Sequence, residues 1–487
     1  VPFATFGDQD SKNSKKYALH LFQSGLGLPD RDYYLKDEVE FKRVKDAYMK
    51  HLLRIFSLLG YGVQEAKRNM HTVMDIETRL AKASMNKVDI RDAEKVYHKK
   101  TFKELEKHSP TIDWKKYFTH SHTPLMPYVI VGQPDFLKEV EKMYKEVSLE
   151  DWKTYLLWHL ADDAAPFLTK AFTKANFEFY GKVLSGTKKL KPDWRRALAV
   201  VNGTLGDAVG QIYVKKHFPP KAKKKMDTLV DDLFDGYEKH IKELDWMTPP
   251  TKKKALKKLF LIKRKIGYPR KWRNYKGLEF TSSDYFGNML RASAHAHKRE
   301  MKKLRGPIDR EEWFMSPQTV NAYFHPNLNE IVFPAAILQS PFFDFDADDA
   351  VNYAAIGSVI GHEISHSFDD QGAKFDGAGN LNDWWTPKDK KQFEKKGELL
   401  AAQYDEYKVS DDVRVNGKLT LGENIADLGG LVIAWDAYQK HLKKTVRKNI
   451  DGFSPEERFF LGFAQQEREL STPEFEKMHA LTNPHSP

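Results

Sequence analysis

The chain has 487 residues, of which 41% are hydrophobic, with no cysteine and a formal net charge of +11. Its length exceeds what a single hydrophobic core usually serves, so two lobes are expected. The lack of cysteine excludes disulfides and thiolate metal sites and leaves the cellular compartment undecided. No stretch approaches the roughly 20 apolar residues of a membrane-spanning helix, so the sequence predicts no membrane span.

The positive charge could indicate nucleic acid or an anionic membrane as a partner. Its local sources are three lysine-rich runs at residues 221–225, 252–258 and 263–265. Leucines stand among the last two runs, and no basic motif interleaved with aromatic residues accompanies them. We interpret the runs as solvated helix faces, and no nucleic-acid partner is predicted.

Helical periodicity dominates the first 285 or so residues. Apolar residues recur at steps of three and four over residues 41–59, and Gly60 stands where such a helix would end. Similar stripes run over residues 73–85 and 136–144, and Pro134 precedes the second in a helix-start arrangement. These stripes indicate core packing, so no chemistry is assigned to them.

The pattern changes after about residue 280. Ser282, Ser283 and Asp284 form a signal for the start of another helix, and residues 330–333 form a short β-rich run. The fold class predicted is mainly α with a small β-sheet (α+β).

The pentapeptide His362-Glu363-Ile364-Ser365-His366 is the strongest chemical signal in the chain. At positions i and i+4 of a helix, the two imidazoles lie on one face about a turn apart and can bind one metal ion. Glu363 can then act as a general base towards water. The alternative is an ordinary polar helix face that carries two histidines and a glutamate.

A second helix-like segment, residues 422–430, offers further ligands. Zinc in hydrolases takes three protein ligands and keeps one position open, and a ligating histidine binds a carboxylate with its other nitrogen. Glu423 can be the third ligand, and Asp427, one turn later on the same face, can be that carboxylate. His362, His366 and Glu423 are therefore predicted to bind one Zn²⁺ per chain.

Long, ordered matches extend this interpretation. Residues 27–34, 320–385, 422–430 and 483–487, which include Asn-Ala-Tyr-Phe at 321–324, closely resemble the neprilysin and endothelin-converting-enzyme family of zinc endopeptidases. The matches are very specific and bracket nearly the whole chain. Animal members of that family are disulfide-rich ectoenzymes, so a chain without cysteine resembles a bacterial oligopeptidase of the family.

The resemblance implies a thermolysin-like catalytic lobe over residues 286–487 and a large helical lobe over residues 1–285 that caps the active site. The two lobes would enclose a cavity that admits peptides and excludes folded proteins. Family members have longer N- and C-terminal segments, each with a substrate-binding arginine, so the sequence is interpreted as a fragment or processed form. An extracytoplasmic location is expected, secreted, periplasmic or membrane-anchored in the full-length form, with a cytoplasmic oligopeptidase as the alternative.

The resemblance also implies roles in substrate binding and transition-state stabilisation. A peptide would add as a strand at a sheet edge, where Asn321 binds its backbone through the side-chain amide and Ala322 through its carbonyl. Taken alone, Asn321 is only a turn residue. His485 would donate a hydrogen bond to the oxyanion of the tetrahedral intermediate. Taken alone, it belongs to a frayed chain end.

Ile337, Phe342 and Val359 match the family's apolar pocket for the side chain after the scissile bond, and core packing explains them comparably well. Asp369, just after the zinc helix, is predicted to support a ligand with its carboxylate, and an ordinary position at a helix C-terminus is the alternative. Residues 466–467, Gln and Glu, stand where the family usually has an apolar residue and Trp, which makes the surroundings of the pocket less hydrophobic.

These observations predict a zinc-dependent metalloendopeptidase that hydrolyses oligopeptides on the amino side of large hydrophobic residues, with Glu363 as the general base. Three alternatives stay open. One is a catalytically weak, zinc-containing peptide-binding protein, and another is an incomplete fragment of the enzyme. The last is a basic adhesin or nucleic-acid binder. The oligomeric state is not predicted.

Overall fold

The computed structural model describes residues 2–487, which form a mainly helical body with two small β-sheets. This confirms the predicted α+β class. Within residues 2–487, no helix combines the length and the apolar character that crossing a bilayer requires.

One helix end and one helix start in the first half lie where the sequence signals indicate, whereas the helix that contains the stripe at residues 73–85 begins at Val63. Gly60 follows the second helix with a φ of +95°, a conformation that glycine adopts without strain. Pro134 is the first residue of the sixth, as predicted. The helices are α1 (Asp32–Leu35), α2 (Val39–Leu58), α3 (Val63–Ala83), α4 (Phe102–His108), α5 (Trp114–His120), α6 (Pro134–Glu146), α7 (Leu149–Ala164), α8 (Lys170–Asn176) and α9 (Asp193–His217).

The second half continues with long helices. Asp284 caps α12 by accepting a hydrogen bond from the Gly287 backbone N–H at 2.9 Å, which confirms the helix start predicted there. The helices are α10 (Pro220–Glu243), α11 (Pro249–Phe260), α12 (Tyr285–Lys303), α13 (Asp349–Ser365), α14 (Pro387–Asp405), α15 (Leu421–Leu442), α16 (Pro455–Gln466) and α17 (Pro473–Thr482).

The strands form two sheets. In the first, the order is β1 (Phe3–Asp10), β2 (Asn13–Gln23), β4 (Tyr128–Val131) and β3 (His98–Thr101), with β2 and β4 parallel. This sheet was not predicted from the sequence. In the second, the order is β5 (Lys263–Gly267), β7 (Glu330–Pro334) and β6 (Tyr323–His325). The strand β7 is buried throughout and confirms the predicted β-rich run, and β6 lies at the sheet edge.

Three hydrophobic clusters form the core. One joins α10, α11, β5 and β7 to α13, α15 and α16, and we call this part the central lobe. The other two contain α2, α3 and α7, and β2, β4 and α6, and we call this part the cap lobe. The division at residues 285/286 stays a prediction. The packing crosses it, because α10 and α11 belong to the central lobe, whereas Met301 and Leu304 pack in the cap lobe.

A buried carboxylate, Asp389, ties α11 to α14 in the central lobe. It accepts hydrogen bonds from the Thr248 backbone N–H at 3.0 Å and from the hydroxyls of Thr248, Thr251 and Thr386. Burial acts to raise the pKa of Asp389, but these donors outweigh burial and lower the pKa to about 2. The ionised carboxylate is therefore the form that the fold stabilises.

We expect Asp389→Asn to lower the free energy of unfolding at neutral pH by about 2 kcal/mol, because hydrogen bonds to a charged group are lost. The folded pKa of about 2 lies below the ordinary value of 3.8, so the unfolded state binds more protons between these two values. The contribution of Asp389 to the free energy of unfolding is thus fully present above pH 3.8 and is lost as the pH falls through about 2. Urea unfolding should show the gap between wild type and variant closing over that range, and a gap independent of pH would contradict the assignment.

Candidate active site

The pentapeptide lies at the end of α13, which packs closely along α15. The two helices meet at Gly361 and Gly430, where a side chain would not fit. A Cβ on Gly361 would lie 2.6 Å from the Gly430 carbonyl oxygen, and a Cβ on Gly430 would lie 2.5 Å from the His362 backbone nitrogen. This backbone contact places the first turn of α15, with Glu423, against the histidines of α13.

Three side-chain atoms converge between these helices. His362 Nε2 and His366 Nε2 are 2.9 Å apart, and Glu423 Oε2 lies 3.4 Å and 3.3 Å from them. Two ligands of a tetrahedral zinc ion, each at 2.0–2.1 Å, would be about 3.3 Å apart. Glu423 Oε2 is also buried and has no hydrogen-bond partner. The donor set and its spacing therefore fit zinc.

Carboxylates fix the orientation of both imidazoles. Nδ1 of His362 donates to Asp427 Oδ1 at 2.7 Å, and Nδ1 of His366 donates to Asp369 Oδ2 at 2.7 Å. The proton on Nδ1 leaves the Nε2 lone pair of each ring for a metal ion. Both carboxylates thus stand where the sequence analysis expected them, and Asp369 has this contact in addition to its place after α13.

The electrostatics separate the two glutamates. Burial acts to raise the pKa of Glu423, but His362 and His366 outweigh burial and hold the pKa far below its ordinary value. Burial raises the pKa of Glu363 against the opposing effect of the same two histidines. Glu423 therefore remains an anionic donor, whereas Glu363 is closer to the protonation equilibrium that a proton-transfer group requires.

A cavity of about 850 Å³ opens onto the donor set, and every site residue predicted from the sequence lines it. Asn321 and Ala322 lie on its wall just before the edge strand β6, and the Asn321 side-chain oxygen accepts a hydrogen bond from the Ala322 N–H at 2.8 Å. The apolar part of the wall includes Ile337, Phe342, Val359 and Phe463, and Gln466 and Glu467 also line the cavity.

The structure agrees with both interpretations of these apolar residues, as the wall of a substrate pocket and as part of the hydrophobic core. Ile337 is part of the central-lobe cluster, and Phe342, Val359 and Phe463 pack against it from partly exposed positions. Phe463 was not singled out from the sequence, because a lone aromatic residue on α16 carries no signal of a pocket.

His485 reaches the donor set from the end of the chain. Its Nε2 lies 3.2 Å from Glu423 Oε2, and its ring is nearly parallel to that of His362 at a centroid distance of 6.5 Å. Ser486 Oγ donates to the Asn424 side chain at 2.8 Å, which ties this segment to α15. His362, Glu423 and His485 each offer an atom within 4.8 Å of the others. The hydrogen bond of His366 to Asp369 and its place directly after the last turn of α13, one turn from His362, favour His366 over His485 as the second histidine ligand.

The interpretation of the lysine runs as solvated helix faces is wrong for residues 263–265, which lie in the strand β5, and two lysines of the runs are buried. Lys258 is 2% exposed, and its ammonium donates to the carbonyl oxygens of Ser367, Gly372 and Phe375 at 2.6–2.7 Å. Lys265 is 5% exposed and pairs with Glu330 at 2.7 Å. Lys258 thus holds the loop that carries Asp369 by three hydrogen bonds to its backbone. The spacing of lysines along a helix does not reveal such a role.

Replacing Lys258 with Met should lower the free energy of unfolding by on the order of 3 kcal/mol, because three buried carbonyl oxygens lose their donor. Met keeps most of the aliphatic stem, so lost packing contributes little. The check is urea unfolding of Lys258→Met beside Lys257→Met, whose lysine is exposed on the same helix. Equal stabilities of the two variants would show that the three hydrogen bonds contribute nothing net.

Two histidines and one glutamate at ligand spacing, with a second, buried glutamate beside them, form a donor set that fits a metal ion next to a sheet edge. Two models of peptidase family M13 match the chain, one over residues 1–269 and the other over residues 321–487. The chain belongs to peptidase family M13.

Curated relatives include endothelin-converting enzyme 1 of Rattus norvegicus and of Homo sapiens, each 35% identical over 501 residues. The match covers 100% of this chain and 65% of each relative, so the chain spans about two thirds of their length. Neprilysin-3 of Drosophila melanogaster is 33% identical, over 98% of this chain and 64% of the relative.

Solved structures of similar fold include the zinc metalloprotease Zmp1 of Mycobacterium tuberculosis in complex with an inhibitor. It superposes with a TM-score of 0.95 at 44% identity, over 100% of this chain and 75% of Zmp1. The open state of Zmp1 gives a TM-score of 0.73 over 100% of this chain and 76% of Zmp1, at the same identity. PepO of Lactobacillus rhamnosis HN001 superposes with a TM-score of 0.91 at 26% identity, over 100% of this chain and 76% of PepO. The chain therefore has the arrangement of the inhibitor complex rather than that of the open state.

Proposed function

We propose that the protein is a zinc metalloendopeptidase that hydrolyses oligopeptides on the amino side of large hydrophobic residues and binds one Zn²⁺ per chain. The observation that carries this proposal is the convergence of His362 Nε2, His366 Nε2 and Glu423 Oε2 at ligand spacing beside the buried Glu363. Membership of peptidase family M13 supports the same class of reaction. On the same family resemblance we propose an extracytoplasmic location.

Glu363 is the proposed general base. A bound zinc ion would supply Lewis-acid chemistry, polarising the carbonyl of the scissile bond and making water more acidic. Glu363 takes the proton of the attacking water and later passes it to the leaving amine. Its burial suits this task, because burial raises the pKa of Glu363 and so makes the carboxylate a better proton acceptor.

The edge strand β6 is the proposed binding site for the substrate backbone. An extended peptide pairs there through main-chain hydrogen bonds, which bind any sequence, and Asn321 and Ala322 fix its end. The pocket formed by Ile337, Phe342 and Val359 receives the next side chain. Its apolar walls favour a large hydrophobic residue directly after the scissile bond.

His485 is the proposed donor to the oxyanion that forms when water attacks the carbonyl. A hydrogen bond of this kind contributes about 3 kcal/mol to transition-state stabilisation in comparable sites. His485 lines the cavity with its Nε2 3.2 Å from Glu423 Oε2. Nδ1 lies 2.9 Å from the Asn483 side-chain oxygen, so His485 donates from Nε2 as the imidazolium or after the contact with Asn483 is broken.

A peptide-binding protein with little turnover is the second candidate. The observation that favours it is the position of Gln466 and Glu467 beside the apolar wall of the cavity, where they reduce its hydrophobic character. The two candidates differ in whether a bound peptide is cleaved.

The experiment that tests the proposal is hydrolysis of an internally quenched peptide with Phe after the scissile bond, beside the same peptide with Asp there. Zinc content is measured on the same preparation. We expect one zinc per chain, cleavage before Phe that is lost with a chelator, and little cleavage before Asp. Zinc with peptide retention but no product would favour the second candidate, and a chain that binds no zinc would refute both.

A further inference from the structure

The connection between α3 and β3 reaches from the cap lobe to the back of the donor set. Its short 3-10 turn, Asp89–Arg91, ends in an arginine that is directed into the central lobe. Arg91 Nη1 donates to the carbonyl oxygens of Leu419 at 2.5 Å and Lys418 at 3.3 Å, just before α15. Arg91 Nη2 lies 3.6 Å from Asp370 Oδ1. One guanidinium thus bridges two separate pieces of the central lobe.

These two pieces carry groups of the metal site. Asp370 follows Asp369, which orients His366, and the carbonyls bound by Arg91 lead into the first turn of α15 with Glu423. All of these groups meet around Gly422. A Cβ on this glycine would lie 2.7 Å from Arg91 Nη2, 2.7 Å from Asp370 Oδ1 and 3.2 Å from Asp369 Oδ2. The guanidinium therefore lies directly behind the metal-binding side of α15.

The same loop has a second bond to the cap lobe. Lys374 Nζ and Asp92 Oδ1 form an ion pair at 2.7 Å, one residue along from Arg91. Asp370 Oδ1 is buried and has no hydrogen-bond partner, so Arg91 is the cation that compensates it from the cap lobe. Removal of the cation from this partly buried carboxylate is costly, and the cost is relieved when the carboxylate takes up a proton or the loop moves, so that in either case the contact with Arg91 is lost.

We propose that Arg91 is a positioning residue for the metal site. Docking of the cap lobe fixes, through Arg91, the loop that holds Asp369 and the turn that holds Glu423, and it thereby sets the affinity for zinc and the geometry for hydrolysis. A similar chain is known in an open state and in an inhibitor complex, and this chain has the second arrangement. The coupling makes the donor set best ordered in this second arrangement, in which Arg91 reaches the central lobe.

The test compares Arg91→Ala and Arg91→Lys with Ser14→Ala. Ser14 belongs to the cap lobe and donates to the Ala378 carbonyl oxygen of the central lobe at 2.8 Å, so its loss breaks a contact between the lobes away from the donor set. Zinc affinity is measured by competition with a chromogenic chelator, and kcat and KM are measured with the Phe peptide. Partners of ligating residues typically contribute 10- to 100-fold to metal affinity or activity.

We expect Arg91→Ala to weaken zinc binding by about 10- to 100-fold and to lower kcat more than it raises KM. Arg91→Lys should lose less zinc affinity, because lysine keeps the positive charge but cannot contact the carbonyl oxygens and Asp370 with two separate nitrogens. Ser14→Ala should keep wild-type zinc affinity. Wild-type zinc affinity in Arg91→Ala would overturn the proposal, and so would an equal loss in Ser14→Ala.

Two further results, a variant that does not fold and a wild type without peptidase activity, still leave the role of Arg91 testable. If Arg91→Ala does not fold, Arg91→Lys and Asp370→Asn decide, and unchanged zinc affinity in both would overturn the proposal. The inference does not rest on turnover, because zinc affinity is read directly. A wild-type chain that binds zinc but cleaves no peptide would refute the proposed peptidase, and the zinc measurements would still test Arg91.

Discussion

Glu363→Gln should lower the kcat of peptide hydrolysis by about 10²- to 10⁴-fold and leave zinc binding unchanged. Glu363 lies beside the donor atoms without being one of the three that converge, so its replacement removes the proposed proton acceptor and no ligand. Gln has nearly the same size and cannot take up the proton of water. The measurements are kcat with the quenched Phe peptide and zinc per chain on the same preparation.

The matched control is Glu469→Gln. Glu469 also lines the cavity, so this variant removes the same charge from the same space without touching α13. We expect it to hydrolyse peptide and bind zinc as the wild type does. Loss of zinc from Glu363→Gln would instead assign Glu363 to the structure of the metal site. Retention of hydrolysis would require another base.

Local signals in the sequence predicted helix ends away from the site, in α2, α6 and α12. The capping residue Asp284, the terminating Gly60 and the initial Pro134 each act within one turn of their helix, so their effect can be read without knowing the fold. The donor set was predicted for a similar reason. His362 and His366 share a helical face, and Glu423 and Asp427 share another, so only the approach of the two helices had to be assumed.

What the sequence did not reveal depends on contacts between distant segments. The strand β2 pairs in parallel with β4, more than 100 residues later, and polar residues on its partner β1 hide the alternation that a strand would show. Lys258 resembles its solvated neighbours until the loop after α13 folds over it. Arg91 carries no signal at all, because its partners at residues 370 and 419 come together only when the two lobes dock.

Glu423→Gln should abolish both zinc binding at micromolar zinc and peptide hydrolysis. The carboxylate is the only anion among the three converging donors, and the neutral amide oxygen is a much weaker ligand for Zn²⁺. A ligand that binds only the folded state at about 1,000 times its Kd adds about 4.1 kcal/mol to the free energy of unfolding. Urea unfolding with and without zinc should therefore show a gain for the wild type and none for Glu423→Gln.

The fold of Glu423→Gln should persist, because the helices that carry the donor set are held together by other contacts. The backbones of α13 and α15 touch at Gly361 and Gly430, and Ile360, Ile364 and Ile433 lie in the central-lobe cluster. The far-ultraviolet circular dichroism of the variant should thus equal that of the wild type prepared with a chelator. An unfolded Glu423→Gln would mean that α13 and α15 pack together only when zinc is bound. A folded variant without zinc would mean that the two helices pack without the metal ion and bring its ligands together.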